Sequence, residues 1–257
     1  MQKRGMQRWK LTIEYHGAAY SGWQRQAEVM SVQQRIEEAL FAFCQQELRL
    51  FVAGRTDAGV HAHGQVAHVD IDYGDRPLTG YDLTNALNFY LRDSGIAILA
   101  AEPVSQDFHA RYGAKDKLYT YRILNRVAMP AIEQNRVWHV RKPLDPARMQ
   151  EGAKHLLGKH DFSTFRAIGC QANSPIRTLD RLDIEVIELG VGREIRVHTE
   201  ARSFLHHQVR NMVGALALVG EGKWQPLDIK VALEARDRKA GPATAPADGL
   251  SLMSVRY

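Results

Sequence analysis

The stretch Ala53 to Ala62, AGRTDAGVHA, places one carboxylate (Asp57), one guanidinium (Arg55) and one hydroxyl (Thr56) among glycines and alanines. Small residues let backbone or a ligand approach closely. A carboxylate in such surroundings can attack an electron-poor centre or stabilise positive charge as it develops. Arg55, two residues earlier, is expected to keep Asp57 ionised, because arginine stays charged and an opposite charge favours the carboxylate. Thr56 is suited to hydrogen-bonding the turn. A plainer reading competes: Asp and Gly form turns readily, and Asp57 capping its own backbone would use the same residues.

Other polar residues invite the same question. His61 and His63 read as loop residues close to His68, but no carboxylate or cysteine cluster accompanies them, so no metal site is expected. His206 and His207 read as neighbours on a helix, where adjacent side chains diverge by about 100° and share a metal poorly. Arg210 falls in an apolar helical run, where a buried charge needs a partner. Tyr119 lies on an alternating strand, where packing is the usual role of a tyrosine. Trp23, with Gln24, Arg25 and Gln26, is either a ligand contact or part of the core. Arg111, Lys115, Lys117 and Arg122 interleave with Tyr112, Tyr119 and Tyr121, which suits phosphate contact and a solvated basic strand equally.

Elements that must position these groups are legible from periodicity. Residues 9–15 alternate as a strand, and a Gly- and Gln-rich loop runs from His16 to Met30. Ser31 with Gln34 forms a capping-box pattern ahead of a helix carrying Val32, Ile36, Ala39, Leu40 and Phe43 at helical spacing. Strands are expected at 48–53 and 66–72, a helix at 84–91 and a strand at 96–104. That order of strand, helix, strand, strand, helix, strand implies a ferredoxin-like unit with helices on one face of an antiparallel sheet. Strands follow at 117–125, 179–188, 194–201 and 250–257. Helices are expected from Asp145-Pro146 to Gly158, over 205–219 and over 227–235. The fold class is mixed α/β, in the α+β sense, with domains at 1–105 and 106–257.

Composition sets the bounds. Of 257 residues, 45% are hydrophobic, enough for a sizeable core. Thirty-four Lys and Arg against 29 Asp and Glu give a net +5, which favours a polyanionic partner. Cys44 and Cys170 form no CxxC pair, and a reducing cytoplasm is expected. The charged N-terminus is no signal peptide, and no segment approaches the ~18 apolar residues of a membrane span. Neither a GxxxxGK[ST] loop nor a dinucleotide fingerprint is present, and no cofactor is expected.

AGRTDAGVHA resembles the catalytic loop of the TruA-type tRNA pseudouridine synthases. Five further segments follow in the family's order. Tyr20 to Gln26 (YSGWQRQ) is similar to its YxGWQRQ, and Phe108 to Arg111 to its DFHAR segment. Tyr119 and Tyr121 match an aromatic pair, His160 to Arg166 a DFxSFR stretch, and Phe204 to Gly214 the FxxHMVRNxVG helix. The family's Asn-Leu-Pro turn is replaced here by Asn88 to Gly95.

The resemblance implies two ferredoxin-like halves with joined antiparallel sheets and a central basic cleft. It also implies a homodimer that converts uridine to pseudouridine at positions 38, 39 and 40 of the tRNA anticodon arm. By the same resemblance Asp57 is the nucleophile, Arg55 aids entry and flipping of the nucleotide, Tyr119 stacks on the target base and Arg210 pairs with the aspartate. Trp23, Gln24, Arg25 and Arg111 are expected to touch substrate. Two readings of other classes compete: a glycosidase using Asp57 against an oxocarbenium-like centre, and an RNA-binding protein without catalysis.

Overall fold

The structure is a computed structural model describing residues 6–74 and 77–257; the charged stretch at 1–5, read above as no signal peptide, lies outside the described residues. Two compact units emerge: Met1–Lys115 with Leu252–Tyr257, and Asp116–Ser251. The sequence boundary near 105 marks the end of an alternating strand. The first unit continues past it because Arg8 donates to the carbonyls of Gln106 (2.5 Å) and Phe108 (2.8 Å).

In the first unit β1 (Met6–Tyr15) buries Trp9, Leu11, Ile13 and Tyr15, the alternate positions of a half-buried strand. Next come α1 (Val32–Cys44), the short β2 (Phe51–Val52) and β3 (His61–Asp72). They are followed by α2 (Gly80–Tyr90) and β4 (Ile96–Val104). β1 pairs antiparallel with both β3 and β4, and β2 pairs antiparallel with β3. The order β4-β1-β3-β2 is that of a ferredoxin-like unit. Ser31 caps α1 by accepting from the Gln34 backbone at 3.2 Å, but Gln34 turns its side chain to Glu38, so only half of the capping box forms. The full box is at Thr79 and Asp82, which start α2 before its apolar period begins. In place of Asn-Leu-Pro, Asp93 and Gly95 take left-handed conformations (φ 60° and 69°), and Asn88 bonds both backbone groups of Ile98.

The second unit holds β5 (Asp116–Asn125), β6 (Trp138–Val140) and α3 (Pro146–Ala153). A two-stranded sheet of β7 (Gly158–Asp161) and β8 (Ile176–Leu179) precedes β9 (Arg181–Glu188) and β10 (Arg193–Ala201). α4 (Gln208–Gly220), α5 (Pro226–Ala235) and β11 (Leu250–Arg256) complete the chain. β10 lies between β5 and β9, antiparallel to both, and β6 runs parallel to β5. The β5-α3-β9-β10-α4 succession thus repeats the layout of the first unit. The strand expected over 179–188 is interrupted at Asp180, where β8 gives way to β9. From Leu252 onward β11 belongs to the first unit, on the edge of β3. Cys44 and Cys170 are free thiols. Among the described residues no helix is long and apolar enough to cross a membrane.

Candidate active site

Asp57 is half-buried on the connection between β2 and β3, and that connection is clamped from one side by the segment Tyr15 to Trp23. The Trp23 N–H donates to the Thr56 carbonyl at 3.1 Å, and the Gly59 N–H to the Tyr20 carbonyl at 3.3 Å. The Tyr15 hydroxyl and Thr56 Oγ1 share a buried hydrogen bond of 2.7 Å. Gln65 Nε2 donates to the Gly54 carbonyl at 2.8 Å and to the Tyr15 hydroxyl at 3.4 Å. Burial pushes the Tyr15 phenol up to about 12, against the opposing pull of its bonds to Thr56 and Gln65, so it stays protonated at neutral pH.

Two glycines make the clamp possible. Gly22 has φ +85°, and a Cβ there would lie 2.7 Å from the Thr56 oxygen and 3.1 Å from the Asp57 carbonyl carbon. A Cβ on Gly17 would lie 2.0 Å from the Val60 oxygen. The clamp is itself anchored. Gly22 and Trp23 present their carbonyls to the N–H groups of Val32 (3.2 Å) and Gln33 (3.0 Å). These are free donors of the first turn of α1, which otherwise lack intrahelical partners. Rigidity thus passes from the helix start through Gly22 and Trp23 to the backbone flanking Asp57.

Several expected placements change. Trp23 is fully buried, packed 6.0 Å from Tyr15, so its ring has no surface to offer a ligand; it supports the loop from beneath. Arg55 is exposed and makes no ion pair with Asp57, unlike the pairing its spacing suggested. Arg25 is exposed but tethered, its guanidinium on Glu37 at 3.1 Å and its N–H on Gln33 Oε1 at 3.1 Å. Gln24 is half-buried beside Trp23. Arg111 is exposed in the turn after β4, with its guanidinium 6.0 Å from the Tyr112 ring.

His61 and His63 belong to β3 rather than to a loop. His61 Nδ1 accepts from the Gly17 N–H at 3.0 Å, joining the clamp, while His63 faces Glu14 at 3.8 Å. His206 and His207 precede α4 rather than sharing it, because His207 takes a left-handed conformation (φ 61°); their rings lie 4.0 Å apart.

Within the second unit Tyr119 is nearly buried on β5 and meets Phe204 edge-on at 5.3 Å. Arg210, in the first turn of α4, donates from Nε to the Ala245 carbonyl at 2.8 Å. Tyr121 is fully buried and donates to the Pro246 carbonyl at 2.7 Å. The 245–246 strip is therefore bonded from both the sheet and the helix. The basic strand face read around Tyr119 is largely occupied. Lys117 is buried and bonds the Arg202 carbonyl at 3.0 Å, and Arg122 pairs with Glu133 and Glu194, each at 2.8 Å. Although burial pushes the Glu194 carboxyl up, hydrogen bonds from Arg122 and Arg196 hold it below the usual carboxylate range.

Tyr15 and Gln65 are positioning residues that periodicity did not single out. The available signal was polar: a tyrosine at the last inward position of β1, and a glutamine one residue ahead of the apolar run of β3.

A family model described as tRNA pseudouridine synthase matches residues 11–113 and 153–257. The chain is 54% identical over 252 residues to tRNA pseudouridine synthase A of Paramagnetospirillum magneticum, spanning 98% of this chain and 96% of that protein. It is 52% identical over 252 residues to tRNA pseudouridine synthase A of Rhodospirillum centenum, spanning 98% and 100% of the two chains. To tRNA pseudouridine synthase A of Mesorhizobium japonicum it is 52% identical over 254 residues, again spanning 98% and 100%.

Proposed function

This chain belongs to the tRNA pseudouridine synthases and isomerises uridine to pseudouridine in tRNA; from that premise we propose that Asp57 is the carboxylate acting at the ribose of the target uridine. The reaction breaks the bond from C1′ to N1 of uracil, turns the base, forms a bond from C1′ to C5 and removes the proton from C5. Nothing is oxidised or consumed, so the demands on the protein are placement and charge. The observation that carries the assignment is the clamped loop: an aspartate whose flanking backbone is held by Trp23 and Gln65 and whose neighbour Thr56 is bonded through its side chain to Tyr15. Such fixing places a nucleophile within the small tolerances that proximity catalysis needs.

The other roles rest on the ordered motifs. Tyr119 stacks on the extruded base, which offsets part of the few kcal/mol needed to unstack it. Arg210 supplies positive charge for the carboxylate. Arg55, exposed and without an ion-pair partner among the described residues, is available to the phosphate backbone of the incoming nucleotide. Gln24, Arg25 and Arg111 contact substrate, and Trp23 is reassigned from contact to support. The substrate segment is the anticodon arm, at positions 38, 39 and 40. The enzyme acts as a homodimer in the cytoplasm and needs no cofactor.

Incubating the purified protein with unmodified tRNA and mapping pseudouridine by carbodiimide and primer extension tests the site of action. Stops at 38, 39 and 40 are expected. Stops confined to another arm overturn the anticodon assignment, and release of free uracil would point to a glycosidase.

A further inference from the structure

Outside the catalytic loop, the first unit carries a continuous row of aromatic rings. Phe51 of β2 and His68 of β3 are register partners, and their rings stack at 5.1 Å and 18°. His68 meets His109 at 4.8 Å, and His109 meets Tyr112 at 4.4 Å. A guanidinium lies at each end, Arg49 at 5.9 Å from Phe51 and Arg111 at 6.0 Å from Tyr112. His68 is buried at 2% exposure, His109 is half-buried, and the ends are open, Phe51 at 45% and Tyr112 at 72%.

The row is held in place. The Ala110 N–H donates to His68 Nδ1 at 3.2 Å, which fastens the turn after β4 to the sheet. His109 Nδ1 accepts from the Arg111 and Tyr112 N–H groups at 3.1 and 3.3 Å. Tyr257 donates to the Ala110 carbonyl at 2.8 Å from the other side. Single exposed aromatics are ordinary on a protein surface, but a fixed file of four rings with arginines at both ends is not. Neither Arg49 nor Arg111 has a carboxylate partner among the described residues.

We infer that this row is an auxiliary RNA platform, on which an unpaired nucleotide of the tRNA substrate stacks against Tyr112 or Phe51 while Arg49 and Arg111 meet its flanking phosphates. Exposed π-faces paired with unneutralised guanidinium groups match the two features of single-stranded RNA, a flat base and an anionic backbone. The inference rests on tRNA being the substrate and is independent of the role given to Asp57.

The test uses the full chain and a full-length unmodified tRNA, with Tyr112→Ala, Tyr112→Leu, Tyr112→Phe and Phe51→Ala. Kd for tRNA and the single-turnover rate with protein in saturating excess over tRNA are measured separately. Tyr112→Ala and Tyr112→Leu are expected to weaken binding roughly 5- to 150-fold, the range for loss of one stacked base. Tyr112→Phe keeps the ring and should bind within about twofold of wild type, and the saturated rate should be unchanged in all three. Wild-type binding by both Tyr112→Ala and Phe51→Ala overturns the platform. So does a leucine that serves as well as phenylalanine, a fall in the saturated rate with intact affinity, or a change in oligomeric mass in place of tRNA affinity.

Discussion

Gly22→Ala perturbs the proposed machinery by one methyl group at a buried backbone position. The residue has φ +85°, a region that costs an alanine about 1 kcal/mol. The new Cβ would meet the Thr56 oxygen at 2.7 Å, and the Ala58 nitrogen and Asp57 carbonyl carbon at 3.1 Å. All three atoms are backbone, so no side chain can swing aside. Reaching ordinary contact requires the loop to retreat by about 0.7 Å, the gap between 2.7 Å and 3.4 Å. Misplacement of a catalytic group by about 1 Å lowers rate by roughly 100-fold. A fall in the single-turnover rate of about 10- to 100-fold is therefore expected. The strain should also lower Tm by about 4–8 °C if it totals about 2 kcal/mol. Tritium release from tRNA labelled at C5 of uridine reads the rate, and filter binding reads Kd, which should stay within about twofold. A variant that melts lower yet turns over normally would refute the idea that this clamp sets the position of Asp57.

Three other perturbations separate support from contact. Tyr15→Phe removes the buried hydroxyl shared with Thr56, and unfolding should become easier by about 1–3 kcal/mol; tRNA affinity should be unchanged, and a loss of affinity without destabilisation would contradict the assignment. Trp23→Ala empties a fully buried site and is expected to destabilise by about 3–5 kcal/mol, whereas a stable variant with weakened tRNA binding would restore Trp23 as a contact. His68 is depressed to about 4 by burial first, then by the charges of Arg8 and His109. Because the unfolded chain protonates near pH 6.5 and the folded one does not, this histidine lowers stability as pH falls from about 6.5 to about 4, by roughly 3 kcal/mol. Urea midpoints at pH 7 and pH 4.5 should therefore fall less for His68→Gln than for wild type, and equal falls would show that His68 does not titrate this way.

The strands of the first unit were legible because alternation is a local property: Trp9, Leu11, Ile13 and Tyr15 declare an inward face without knowledge of its partner. Boundaries set by single side chains were harder to see. α2 begins at Gly80 because Thr79 and Asp82 cap each other, ahead of any apolar period. β3 begins at His61 because polar His61 and Gln65 point inward to bonds with Gly17 and Gly54, and such positions look like loop in a hydropathy pattern. The break before α4 depends on a left-handed His207, a conformation its residue type does not announce. At the candidate site, the motif marked the aspartate loop, but the support beneath it comes from residues far apart in sequence. Trp23 reads as an interaction residue from its polar neighbours Gln24 and Arg25, and only packing shows that it faces inward. The Arg55–Asp57 spacing suggested a pair, and the exposed course of the Arg55 side chain removes it.

The central claim is that the carboxylate of Asp57 acts on the ribose of a bound uridine. Its most direct test is a single-turnover tritium-release assay on Asp57→Asn with protein in saturating excess over tRNA, alongside the Kd of the same variant. The amide keeps the shape of the side chain and removes its charge. No tritium release above background, with Kd within about twofold of wild type, is the expected result. Release at a rate comparable to wild type would contradict the claim.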